Sequence, residues 1–92
     1  MEWKLFAHLR DVAGGESVTV DVEGSATVGT ALNALLAAHP GLREEVLDEG
    51  GDLAPHIHVL VDGDDPFAGG DGLETAVDPE TELALFPPVS GG

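Results

Sequence analysis

Ser17-Val18-Thr19-Val20-Asp21-Val22 alternates polar and apolar residues, and a few positions later the period changes: from Thr27 onward Val28, Ala31, Leu32, Leu35 and Leu36 recur at i, i+3, i+4, i+7 and i+8. A period of two puts the three valines on one face of a strand, whereas the second spacing puts five apolar side chains on one stripe of a helix. Ser25-Ala26-Thr27 is a capping cluster, with Thr27 the expected N-cap. His39-Pro40-Gly41 ends the helix, because the residue before a proline avoids the α region. Leu42, Val46 and Leu47 extend the pattern by a further helical turn.

Upstream, Trp3, Leu5 and Ala7 alternate with Glu2, Lys4 and Phe6, which predicts a first strand. The link through Gly14-Gly15 to Val18 is read as a hairpin with a widened loop. Downstream, Ile57, Val59 and Val61 alternate with His56, His58 and Leu60 in a third strand that ends at the turn signal Asp62-Gly63. The stretch Asp64 to Gly72 is rich in Gly and Asp and reads as a mobile loop. Leu73 to Val77 is a candidate short edge strand, and Thr81 to Phe86 is the last strand, closed by Pro87-Pro88. The predicted class is α+β: one mixed sheet of four or five strands with one main helix laid across one face. Residues 1–86 form the domain and 87–92 an exposed tail.

That tail, Pro87-Pro88-Val89-Ser90-Gly91-Gly92, leaves the last strand without a spacer. Prolines stiffen its root, and glycines fit a slot that closes on any side chain. Val89 to Gly92 reach roughly 13 Å at full extension. The expected reactive group is the Gly92 carboxylate, presented with Gly91, rather than any side chain.

Composition narrows the field. Eighteen acidic residues against three basic ones give a formal charge of −15. Phosphate backbones and anionic membranes would repel such a surface, so neither nucleic acid nor membrane is an expected partner. Dispersed Asp and Glu with almost no Lys suit a cytosol of very high salt. The chain has no cysteine, which excludes thiolate metal sites and a cysteine relay. Met1-Glu2-Trp3-Lys4 does not open a secretion signal, and the expected location is cytoplasmic. His56 and His58 lack a third ligand at metal-binding spacing, and the 63–72 loop lacks the order of a calcium loop, so no metal is expected. No catalytic cluster is expected either.

Strand parity adds a surface. Phe6 shares a face with Glu2 and Lys4, Leu60 with His56 and His58, and Phe86 with Glu82. If these strands are neighbours, Phe6, Leu60 and Phe86 form an apolar patch away from the helix, the kind of surface that marks a partner site. The alternative is that parity slips at strand ends and the three rejoin the core. Lys4 is the only lysine and so, with the N-terminal amine, the candidate acceptor for self-conjugation; its other reading is a remnant of a lysine-depleted composition.

Leu5-Phe6-Ala7-His8-Leu9-Arg10-Asp11-Val12-Ala13-Gly14 resembles the opening of MoaD-type proteins, and Leu85-Phe86-Pro87-Pro88-Val89-Ser90-Gly91-Gly92 resembles their ending more closely still. The helix from Thr27 and the strand around Val59-Leu60-Val61-Asp62-Gly63 fall in matching order. With its acidity, the chain is similar to the small archaeal modifiers, ubiquitin-like members of the MoaD/ThiS group. Asp78-Pro79-Glu80-Thr81-Glu82 departs from the Gly-Asp that commonly precedes the family's last strand. The resemblance implies a β-grasp fold and adenylation of Gly92 by an E1-like enzyme using ATP and Mg²⁺. Two outcomes then follow from it: an isopeptide bond to lysines of target proteins, or a C-terminal thiocarboxylate for the large subunit of molybdopterin synthase. It also implies that Phe6 and Phe86 contact the partner enzyme, and the expected partner-binding surface is Phe6, Leu60, Phe86, Pro87, Pro88 and Val89. A passive β-grasp binding module, its end never activated, is the reading from a different class.

Overall fold

The computed structural model describes residues 1–22, 26–54, 56–68 and 70–87. Its elements run β1 (Glu2–Leu5), α1 (His8–Ala13), β2 (Ser17–Thr19), β3 (Ala26–Thr27), α2 (Val28–Ala38), α3 (Arg43–Val46), β4 (His58–Val61), β5 (Ala76–Val77) and β6 (Glu82–Phe86). The main sheet has the order β2-β1-β6-β4. Its central pair, β1 and β6, is parallel, with Leu5 opposite Leu85, and its outer pairs are antiparallel. The two ends of the sequence therefore meet at the middle of the sheet.

Helix α2 covers one face, and it forms for the reasons its sequence predicts. Thr27 is the N-cap: its Oγ1 accepts from the Thr30 backbone N–H at 3.2 Å, and Thr30 Oγ1 accepts from the Thr27 N–H at 2.8 Å. This reciprocal pair satisfies orphan donors that the first turn cannot satisfy itself. Ser25, the first residue of the capping cluster, lies outside the described residues. Val28, Ala31, Leu32, Leu35 and Leu36 are all buried. They pack on Trp3, Leu5, Val59, Leu83 and Leu85, the inward row of the sheet. Trp3 is fully buried, and its indole N–H donates to the Ala31 carbonyl at 3.1 Å, so the ring's one polar atom also ties β1 to α2. After the helix, Pro40–Leu42 forms a 3-10 turn that leads into α3, burying Leu42 and Val46.

Three expectations are corrected. The link from β1 to β2 is not a simple hairpin loop: it contains α1, whose Leu9 is fully buried. Gly14, in the left-handed conformation at φ 81°, closes α1 by donating to the Arg10 carbonyl at 3.0 Å. Ala7 does not continue β1 on the core face: it is exposed and turns the chain at φ 53°. The 73–77 segment contributes no strand to the main sheet. Gly72–Glu74 is a 3-10 turn, and only Ala76–Val77 is extended, paired with Ala26–Thr27 in a separate two-stranded ribbon.

The 64–72 stretch is a loop held by local turns. Asp65 Oδ1 accepts from the Phe67 N–H at 2.8 Å, and Gly72 N–H donates to the Pro66 carbonyl at 3.0 Å. Pro66 is buried while Phe67 stands 50 % exposed. Gly69 lies outside the described residues. The departure at 78–82 also has a physical account. Asp78 Oδ1 accepts from the Glu80 N–H at 2.9 Å, Asp78 N–H donates to Thr81 Oγ1 at 2.9 Å, and the buried Thr81 enters β6 from this turn. Side-chain oxygens of Asp78 and Thr81 thus hold this turn.

Candidate docking face and carboxyl tail

The outward face of the sheet is built by its register. Because Leu5, Leu83, Leu85 and Val59 point to the helix, their neighbours point away. Lys4 pairs with Ala84, which pairs with Leu60. One step along, Phe86 pairs with His58, and Phe6 stands on its other side. The Phe6 and Phe86 rings meet edge to face, with centroids 4.3 Å apart and planes at 62°. Both are half-buried, as are Leu60 and Ala84. Leu60 is the diagonal neighbour of Phe86, a relation that places side chains roughly 7–8 Å apart. Phe6, Leu60 and Phe86 thus share one face and do not rejoin the core.

The turn after β4 holds the far edge of this face. Asp62 and Gly63, at φ 49° and 88°, form the two-residue turn between Val61 and Asp64. Asp62 also donates its N–H to the Glu82 carbonyl at 2.8 Å and accepts the Glu82 N–H on Oδ1 at 2.9 Å. Residue 62 therefore continues the β4–β6 ladder, which keeps Leu60 in register with Ala84.

Pro87, assigned to the exposed tail by the sequence, is buried, so the body of the domain reaches one residue further than predicted. Pro88, Val89, Ser90, Gly91 and Gly92 lie outside the described residues. Phe86, on the apolar face, is two residues before them in the chain. Lys4 is on the same face, with its Nζ 3.9 Å from Glu2 Oε1. Both side chains are well exposed, and such a pair contributes little. His56 and His58 are exposed, and among the described residues no group of three His, Asp or Glu side chains is placed to hold a metal. Among the same residues no helix is long and apolar enough to cross a membrane. Two neighbours of this face escaped the sequence reading: Ala84, between Lys4 and Leu60, and Arg10, beside Phe6. Their place beside the aromatic pair depends on pairings between strands far apart in the chain, or on a helix that was not expected.

A mixed sheet with a parallel central pair, one main helix across it and an apolar outward face at the root of the last strand defines a class, and the comparisons agree with it. The family model described as "ThiS family" matches residues 3–92, and the chain belongs to that family. It is 55% identical to Small archaeal modifier protein 1 of Haloferax volcanii over 92 residues, covering 100% of both chains. It is 37% identical to Small archaeal modifier protein 3 of the same organism, covering 100% of this chain and 98% of the relative. The crystal structure of SAMP1 from Haloferax volcanii superimposes with a TM-score of 0.90 at 53% identity, over 100% of this chain and 98% of that one. The fold is the ubiquitin-like β-grasp, and the two Haloferax relatives named here are small modifier proteins rather than enzymes.

Proposed function

We propose that this chain is a ubiquitin-like protein modifier whose Gly92 carboxylate is the reacting group. The full-length identity of 55% to a protein named as a small archaeal modifier carries the reading. The chemistry follows from the weakness of a carboxylate as an acyl donor. An E1-like enzyme binds the Phe6–Phe86–Leu60 face, holds the tail in its nucleotide site and supplies ATP and Mg²⁺. A Gly92 carboxylate oxygen attacks the α-phosphorus of ATP and pyrophosphate leaves, forming a mixed anhydride. A target lysine amine, directly or after transfer to a thiol, attacks the acyl carbon. AMP or the thiol departs, the amine loses a proton, and an isopeptide bond remains. The modifier contributes a reachable end and a docking face; electrostatic stabilisation belongs to the partner.

The test is mass spectrometry of trypsin-digested protein from cells expressing a tagged Ser90→Arg chain, because Arg43 is otherwise the last site trypsin cuts and a conjugate would keep residues 44–92. Gly-Gly remnants on target lysines, lost when Gly91 and Gly92 are deleted, are the expected result. A pool carrying only a C-terminal thiocarboxylate, with no conjugates, would make the chain a sulfur carrier instead. Activity that survives the deletion would make it a passive binding module.

A further inference from the structure

In a chain of net charge −15, three side chains carry permanent positive charge: Lys4, Arg10 and Arg43. Two of them converge. Lys4, from β1, and Arg10, from the α1 that follows the Ala7 turn, line one shallow depression with Leu5, Phe6, Ala7 and Glu16. Phe6 is also one of the two rings at the centre of the apolar face. Arg43 is elsewhere, in α3, beside a hollow edged by Glu44, Asp48 and Glu49. Among the described residues Arg10 has no ion-pair partner, and Lys4 has only the long contact to Glu2.

We propose that Lys4 and Arg10 are a cationic rim of the docking face and pair with carboxylates on the activating enzyme. The inference rests on the modifier reading and adds the chemistry of the partner's contact surface. A basic partner would be drawn to any other part of this acidic chain and repelled at the rim. An acidic partner meets the reverse: it is repelled by the rest of the surface and accepted at one edge of the Phe6–Phe86 face. Charges arranged this way select orientation and exclude wrong contacts more than they raise affinity. Once docking removes the rim from water, its ion pairs are far less screened by salt than exposed pairs. Lys4 is then held in the sequence by docking, independently of any role as an acceptor.

The experiment is ATP–pyrophosphate exchange by the adenylating enzyme purified from the same cells, with the full chain as varied substrate. The double reversal Lys4→Glu/Arg10→Glu is expected to raise KM about tenfold, the equivalent of one weak ion-pair network, with kcat little changed. Lys4→Arg/Arg10→Lys, which keeps both charges but removes the acceptor amine at position 4, is expected to restore KM. Both sites are solvent-facing, so at about 2 M KCl, where self-repulsion is screened, melting curves of the variants should superimpose on that of the parent. A reversal variant with KM within about twofold of the parent overturns the rim while leaving the modifier reading intact. The rim is overturned equally if the charge-retaining variant is as impaired as the reversal, because positive charge would then not be what the partner reads at these positions. No exchange with the parent chain would sink both readings.

Discussion

Phe6, the residue after β1, and Phe86, the last of the parallel neighbour β6, come from opposite ends of the chain, and their rings touch edge to face with centroids 4.3 Å apart. Neither ring is in the core, so their contact stabilises a surface rather than the interior. Such a pair contributes about 0.5–1.5 kcal/mol beyond the area it buries. Phe86→Ala is therefore expected to lower unfolding free energy by about 1 kcal/mol while raising the KM for adenylation about tenfold. A loss of several kcal/mol with KM unchanged would make the pair a structural element with no docking role. A Phe6→Ala/Phe86→Ala cycle measures the coupling directly.

Ala7 sits at φ 53° and ψ −134°, a region that only glycine occupies without strain. The conformation is imposed from both sides: Phe6 must stay on the outer face while Leu9, at the start of α1, is buried. Ala7→Gly is expected to raise unfolding free energy by about 1 kcal/mol, the relief of strain exceeding the added chain entropy. Chemical denaturation at high salt checks this; an equal or lower stability would refute it.

Thr27→Ala removes the side chain at the centre of the reciprocal cap on α2. The expected loss is about 1 kcal/mol, and Thr27→Ser should recover most of it. If Thr27→Ala proves neutral, the helix start depends on the short β3–β5 pairing instead.

Self-repulsion at net charge −15 is screened over about 3 Å at 1 M salt but over about 10 Å at 0.1 M. Among the described residues the one contact between permanent opposite charges that offsets it is Lys4–Glu2 at 3.9 Å, and it is well exposed. The far-ultraviolet circular dichroism signal should therefore fall as KCl is diluted from about 2 M to about 0.1 M, and return when salt is restored. A native spectrum at low ionic strength would contradict that.

Helix α2 was legible because its signals are local and agree: Thr27 caps, five apolar residues keep one stripe, and Pro40 stops it. Strand faces at Val18, Val20, Ile57, Val59, Leu83 and Leu85 were legible for the same reason, since alternation survives whatever the strand pairs with. Helix α1 was missed because Leu9 and Ala13 are too few to show a helical period, and its Gly14 cap resembles a hairpin turn. The 73–77 segment misled because its apolar residues are real contacts, of a two-residue ribbon rather than of the sheet.

By itself the sequence determined the periodicities, the side of each strand that would be dry, the acidity of the surface and a chain running through two prolines to two glycines. Those properties depend on neighbours within a few residues. Tertiary structure alone decided that Phe6 meets Phe86, that Leu60 lies diagonal to Phe86, and that Lys4 and Arg10 share one edge. Each of these depends on register between strands separated by most of the chain, and register is settled only when the whole inward row of Trp3, Leu5, Val59, Leu83 and Leu85 is buried against α2 at once.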